Sequence, residues 1–137
     1  MSSQSTIESV TKPNTKENKA QSDSFRRLVM VELYTLLIEL ISGVYMFISG
    51  VSLIPVVVHS VFGVVAGVIG VLLVFRSLKL GKNTRNFCVI GFLFVVIAGI
   101  AGALFVASGY TVDAYSYLMA ASFVISGAFY SFTLSAR

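Results

Sequence analysis

The stretch Phe75-Arg76-Ser77-Leu78-Lys79-Leu80-Gly81-Lys82-Asn83-Thr84-Arg85 separates two long apolar runs and holds four of the ten Lys and Arg residues of the chain. Five more precede the first apolar run (Lys12, Lys16, Lys19, Arg26 and Arg27), and Arg137 follows the last. The other two connections, about 50–54 and 108–113, carry none. Basic residues resist translocation and collect on the cytoplasmic side of a bilayer. The pattern predicts an all-α membrane protein of the cell membrane, a four-transmembrane-helix antiparallel bundle with both termini and the middle loop inside. Arg26, Arg27, Arg76, Lys79, Lys82 and Arg85 then hold the topology and meet anionic lipid headgroups.

Composition agrees with a lipid solvent. Of the 137 residues 56% are hydrophobic and 12% charged, and the mean hydropathy is +0.89, far from the balance of a water-soluble domain. The net charge of +4 reads as topological, so no nucleic-acid partner is expected. Residues 1–24 are rich in Ser, Thr, Lys, Asn and Gln and lack the apolar core of a secretory signal, so they are expected to be a disordered cytoplasmic tail. The membrane domain is 25–137, with spans near 28–49, 55–75, 87–107 and 114–135. Each is about 21 residues long, enough at about 1.5 Å per residue to cross a hydrocarbon core of about 30 Å. Tyr45, Tyr110, Tyr115 and Tyr117 near the outer face and Tyr34 near the inner one fit an interfacial aromatic belt. The outer loops are too short to form a domain, which leaves any activity to the bundle, its lipid-facing surface, the basic loop or the tail.

Wound at 3.6 residues per turn, the first span gathers Glu32, Thr35, Glu39, Ser42 and Gly43 on one face, and the second gathers His59, Gly63, Gly67 and Gly70. Gly63 and Gly67 form a GxxxG spacing. The third span carries Gly91, Gly99 and Gly102. The fourth has two stripes, Ser116, Ala120, Gly127 and Ser131 on one and Ser122, Ser126 and Thr133 on the other. Small residues let helix backbones approach in lipid, so these glycines are expected at helix contacts. The second stripe is read as a contact with another protein or as hydroxyls bonded to their own helix.

Three ionisable residues lie within the spans. Glu39 is eleven residues past Leu28, about 16 Å into the membrane. A carboxylate there costs at least a few kcal/mol unless it is protonated, hydrated or paired, which makes Glu39 the first functional candidate. Its bland alternative is a neutral acid donating a hydrogen bond across the bundle. Glu32 lies one turn inside the inner boundary, where a salt bridge to Arg76 or Lys79 would satisfy it. His59 is expected to point into the bundle, level with Tyr45 and roughly two turns from Glu39. A direct bond between the two would then need a register shift or a water.

Several chemistries find no support in the sequence. One Cys and one His cannot complete a usual zinc site, and no metal is expected. Haem would need a second axial ligand beside His59, with only Met46 or Met119 conceivable, so no cofactor is expected. Cys88, beside basic residues, is a free thiol or a palmitoylation site. No catalytic motif is present, so enzymatic activity is not expected.

The run Glu39-Leu40-Ile41-Ser42-Gly43-Val44-Tyr45, then His59 with Gly63 and Gly67, then Ser116-Tyr117-Leu118-Met119-Ala120 resembles small uncharacterised four-helix membrane proteins of prokaryotes, especially archaea. The resemblance covers the four spans and implies a fold but no activity. The leading expectation is a non-catalytic accessory or assembly subunit packing laterally in a larger membrane complex, with other membrane subunits or copies of itself as partners. The alternative is a small proton- or solute-handling carrier that uses Glu39 with His59. A haem- or quinone-associated redox protein stands third.

Overall fold

Backbone amides in hydrocarbon have no water to bond, so apolar runs of this length satisfy them internally as helices, whatever strand preference Val, Ile and Phe have in water. The computed structural model describes residues 15–135. They form four helices: α1 (Thr15–Ser49), α2 (Leu53–Ser77), α3 (Lys82–Ala107) and α4 (Asp113–Ser135). All four are long and apolar enough to cross a membrane, which makes the chain a multi-pass integral membrane protein. The outward faces agree. Ile48, Leu53 and Ile54 are about three-quarters exposed, a surface that lipid tolerates and water does not.

α1 starts upstream of its apolar segment. Its first turns, 15–24, fall in the stretch read from sequence as tail; extending an existing helix adds one hydrogen bond per residue fixed, and Lys, Glu, Ala and Gln favour it. Phe25 seats this extension on the core, at 5% exposure. The Arg76 guanidinium donates a hydrogen bond of 2.8 Å to Ser24 Oγ. The rest of the tail and Arg137 lie outside the described residues.

The connections are short. α1 ends at Gly50, whose φ of +83° is a left-handed conformation that glycine adopts without strain. α3 closes through Gly109 at φ +65°, with Gly109 N–H bonded to Val106 O and Tyr110 N–H to Phe105 O, each at 3.0 Å. These two bonds make a Schellman closure, which satisfies carbonyls that a helix end would leave bare in the membrane. Arg26, Arg27, Arg76, Lys79, Lys82 and Arg85 are exposed at one end of the bundle, together with the α2–α3 connection.

The helices form a ring of neighbours, α1 on α2, α2 on α3, α3 on α4 and α4 on α1. Their packing is uneven along its length. Phe25, Val29, Leu36, Leu73, Cys88, Val95, Phe123 and Tyr130 make a dense core in the half of the bundle nearest the Arg/Lys end. Beyond Glu39 in α1 and Ala101 in α3, and before Ala66 in α2 and Ser122 in α4, no described residue is buried. The helices part there and enclose a cavity.

Glycine decides how tightly the dense half closes. The Tyr130 ring lies against Gly91, where an added Cβ would come within 3.2 Å of it, and the Tyr130 hydroxyl would lie 3.2 Å from a Cβ on Gly70. Ser126 Oγ donates to the Gly91 carbonyl at 2.9 Å, tying α4 to α3. Ser122, Ser126 and Thr133 thus face the core of this chain, and Ser126 bonds across the helix pair while Thr133 bonds to the Tyr130 carbonyl of its own helix. Cys88 is a buried free thiol. The other glycines are not equivalent: a Cβ on Gly67, Gly99 or Gly127 would meet nothing within 4 Å, and Gly63 faces the Glu39 side chain. The GxxxG spacing at Gly63 and Gly67 therefore does not act as a pair within this chain.

This difference is measurable in detergent. Gly91→Ala and Gly70→Ala push on the Tyr130 and Phe92 rings and should destabilise the bundle by about 1–3 kcal/mol. Gly67→Ala and Gly127→Ala should be neutral or stabilising by up to about 1 kcal/mol, through helix propensity alone. Thermal unfolding midpoints of the four variants, compared with wild type, check the ordering.

Candidate functional site

The cavity has a volume of about 820 Å³ and is lined by all four helices. This lies within the range of small-molecule sites, about 300–1,000 Å³. Its walls are mostly aliphatic and aromatic, with Phe47, Phe105, Tyr117 and Phe123 among them. Glu39 and His59 reach it from α1 and α2 at the boundary of the dense half.

These two side chains touch. His59 Nδ1 lies 2.9 Å from Glu39 Oε2, and Glu39 is 1% exposed. The intervening water or register shift anticipated from the sequence is not needed. Two glycines explain why. A Cβ on Gly63 would sit 3.5 Å from Glu39 Oε1, and a Cβ on Gly43 would sit 3.4 Å from His59 Cε1. Each long side chain lies over the bare backbone of the opposite helix. Gly43 is four residues past Glu39 and Gly63 four past His59, so the two groups are offset by one turn, about 6 Å, which their combined reach spans. The estimate of two turns assumed a symmetric hairpin.

Ser42 is the third member. Its hydroxyl lies 3.0 Å from the Glu39 backbone carbonyl, which can only accept, and 2.9 Å from His59 Nδ1. Ser42 either gives its single hydrogen to the carbonyl and accepts from an Nδ1–H, or gives it to an unprotonated Nδ1, according to the imidazole tautomer. The same Nδ1 is equally close to Glu39 Oε2, although only the Ser42 contact is aligned as a hydrogen bond. His59 also stands edge-on to Phe123, ring centroids 6.2 Å apart. Nδ1 and Oε2 are close enough to exchange a proton once the two groups align. The imidazole has one face on a packed ring and a 17% exposed side chain, so it links the dense half to the cavity.

Glu32 is a different case. It is fully buried, and neither carboxyl oxygen has a hydrogen-bond partner. The bridge to Arg76 or Lys79 anticipated from sequence does not form. Arg76 bonds Ser24 instead, and Lys79 is exposed near the end of the bundle. Ser24 is eight residues from Glu32, about 12 Å along α1, which places the guanidinium well beyond the carboxyl. Glu32 does not line the cavity. The Tyr130 hydroxyl and both Glu39 carboxyl oxygens are likewise buried without a hydrogen-bond partner among the described residues.

Four contributors escaped the sequence reading: Ser42 as a bridge, Phe123 as a wall for His59, and Asp113 and Tyr117 in the cavity lining. Ser42 was findable, since it sits three residues after Glu39 and shares its face. Asp113 was also visible, as the lone acidic residue between the third and fourth spans. Phe123 carried no signal. Met46 and Met119 line the same cavity as His59. Among the described residues no three His, Cys, Asp or Glu side chains gather as a metal would require.

The pair should show asymmetric costs. Removing His59 leaves a buried carboxylate without its partner, which costs about 3–5 kcal/mol when the charge persists, whereas Glu39→Gln keeps the shape and an acceptor for Nδ1–H. In detergent unfolding, His59→Ala should be clearly more destabilising than Glu39→Gln, and a double-mutant cycle should give a coupling of about 1–3 kcal/mol. Comparison of the chain with protein-family models, with curated proteins and with solved structures gives no match, so a functional reading rests on the chemistry of this site.

Proposed function

We propose that this chain is a small proton- or solute-handling membrane carrier in which Glu39 and His59 are the working pair and the cavity is the binding site. The observation that carries the reading is the 2.9 Å contact between His59 Nδ1 and Glu39 Oε2 at a cavity of about 820 Å³. A buried acid kept only for packing has no use for an adjacent titratable ring and an open volume. An acid that exchanges protons or ligands needs both. With the Arg/Lys end cytoplasmic, as the charge asymmetry favours, the cavity faces the outer side of the cell membrane and the dense half separates it from the cytoplasm. In this reading neither haem nor a metal takes part. The four helices enclose enough volume for one site without a second copy.

A second reading, an accessory subunit packed laterally in a larger complex, draws on Gly67 and Gly127. Both are small, partly exposed and free of neighbours within the chain, as a contact with another helix would use them. Bulky substitutions there would detach the chain from such a complex and spare the Glu39–His59 pair.

Infrared spectroscopy of the full chain in nanodiscs separates these readings. A working pair at a hydrated cavity predicts a carboxyl C=O band that appears and disappears reversibly with pH and is absent in Glu39→Gln. A purely structural acid predicts no reversible carboxyl change over the pH range in which the bundle stays folded, and that result would remove the carrier reading.

A further inference from the structure

We propose that the ligand of this cavity is a lipophilic organic cation that competes with a proton for the Glu39–His59 pair. The inference rests on the carrier reading above and adds its substrate class.

Charge is the first argument. Two carboxyl groups line the cavity, Glu39 at its inner boundary and Asp113 on α4, and no Lys or Arg does. Every basic residue whose side chain is described is exposed at the opposite end of the bundle. A low-dielectric cleft carrying one sign of charge concentrates ligands of the other sign. Apart from His59, charged only when protonated, the lining offers an anion no cationic partner.

The walls supply the second argument. Phe47 and Tyr117 pack against each other at 5.8 Å between centroids, and Phe105 and Tyr110 at 5.4 Å. All four rings line the cavity, with the polarisable sulfurs of Met46 and Met119 beside them. Aromatic faces attract cations, and most strongly where water is excluded.

The donor set narrows the class further. A hard ion such as Ca²⁺ or Mg²⁺ takes about six or more oxygen ligands in place of its water, and the described residues offer no cluster of three ionisable ligands. A cation whose charge is spread over alkyl or aryl groups needs no such shell. It needs one carboxylate and an apolar wall, which is what this cavity provides.

Competition follows from the geometry of the pair. A carboxylate facing a bound cation cannot keep its proton, so binding drives the shared proton off Glu39 and His59 into water. The titratable groups in the cavity with Glu39 are His59 from α2, Asp113 and Tyr117 from α4, and Tyr110 from the connection between α3 and α4; α3 lines it with no titratable side chain, and Glu32 on α1 lies two turns away outside the cavity. Where the pair holds one proton, affinity should fall tenfold for each unit that the pH drops.

The test is isothermal titration of tetraphenylphosphonium into the full chain in phosphatidylcholine nanodiscs, with empty nanodiscs as the blank. Buffers of different ionisation enthalpy report the protons released. Expected are saturable binding, release of about one proton per cation at low pH, and a loss of tenfold or more in affinity together with all proton release in Glu39→Gln. Tyr117→Leu, at an exposed ring away from the packed core, should weaken binding severalfold and keep proton release. Glu32→Gln should change neither. Binding no greater than that of empty nanodiscs, or equal binding of the anion tetraphenylborate, overturns the proposal. If Glu39 still titrates by infrared in such a sample, only the cation class is lost; if it does not, the carrier reading falls with it.

Discussion

A carboxyl group deep in a membrane must carry a proton, reach water or meet a partner, because its unsolvated charge costs several kcal/mol. In this chain the demand falls on Glu39. Its Oε2 lies 2.9 Å from Nδ1 of the His59 imidazole, and the Ser42 hydroxyl meets the same Nδ1 at 2.9 Å. Where α1 and α2 meet at this level, Gly43 and Gly63 each lie against the other helix's polar side chain. A methyl group at Gly63 would touch the carboxyl at 3.5 Å and one at Gly43 the imidazole at 3.4 Å, ordinary van der Waals contacts. The first hairpin, and through Phe123 α4, thus meet at this one contact.

The bundle divides its labour along its length. Near the Arg/Lys end, glycines at 70 and 91 admit the Tyr130 ring, and the four helices close on one another. Toward the short connections the same helices separate, and the side chains there are large and apolar but unburied. In water such an arrangement would collapse. In lipid the hydrophobic drive for helix association is absent, so a gap persists wherever side chains do not interdigitate. The cavity thus has a physical origin in the medium as well as in the sequence, and its boundary falls where Glu39 and His59 meet.

Much of this was legible beforehand. The existence of four helices followed from apolar runs of bilayer length, and Glu39 stood out by depth alone. Other features depended on details that helical periodicity does not contain. The contact between Glu39 and His59 turned on a one-turn offset and on side-chain reach, and the symmetric-hairpin assumption missed it. Glu32 was assigned to Arg76 by proximity to the same end, but the guanidinium bonds Ser24 some two turns away from it. The glycines looked alike in sequence, whereas Gly91 receives a buried ring and Gly67 receives nothing. Small residues announce that close approach is permitted, without naming what approaches.

Because His59 is the only histidine, selective ¹⁵N-histidine labelling gives a spectrum of this site alone. The most direct measurement of the pair is solid-state ¹⁵N NMR of the labelled chain in lipid, wild type against Glu39→Gln. The account predicts a clear shift of the histidine resonances, and of their response to pH, when the carboxyl is replaced. Identical histidine spectra and titrations in the two proteins would mean that His59 does not sense Glu39, and the pair on which the account rests would not exist.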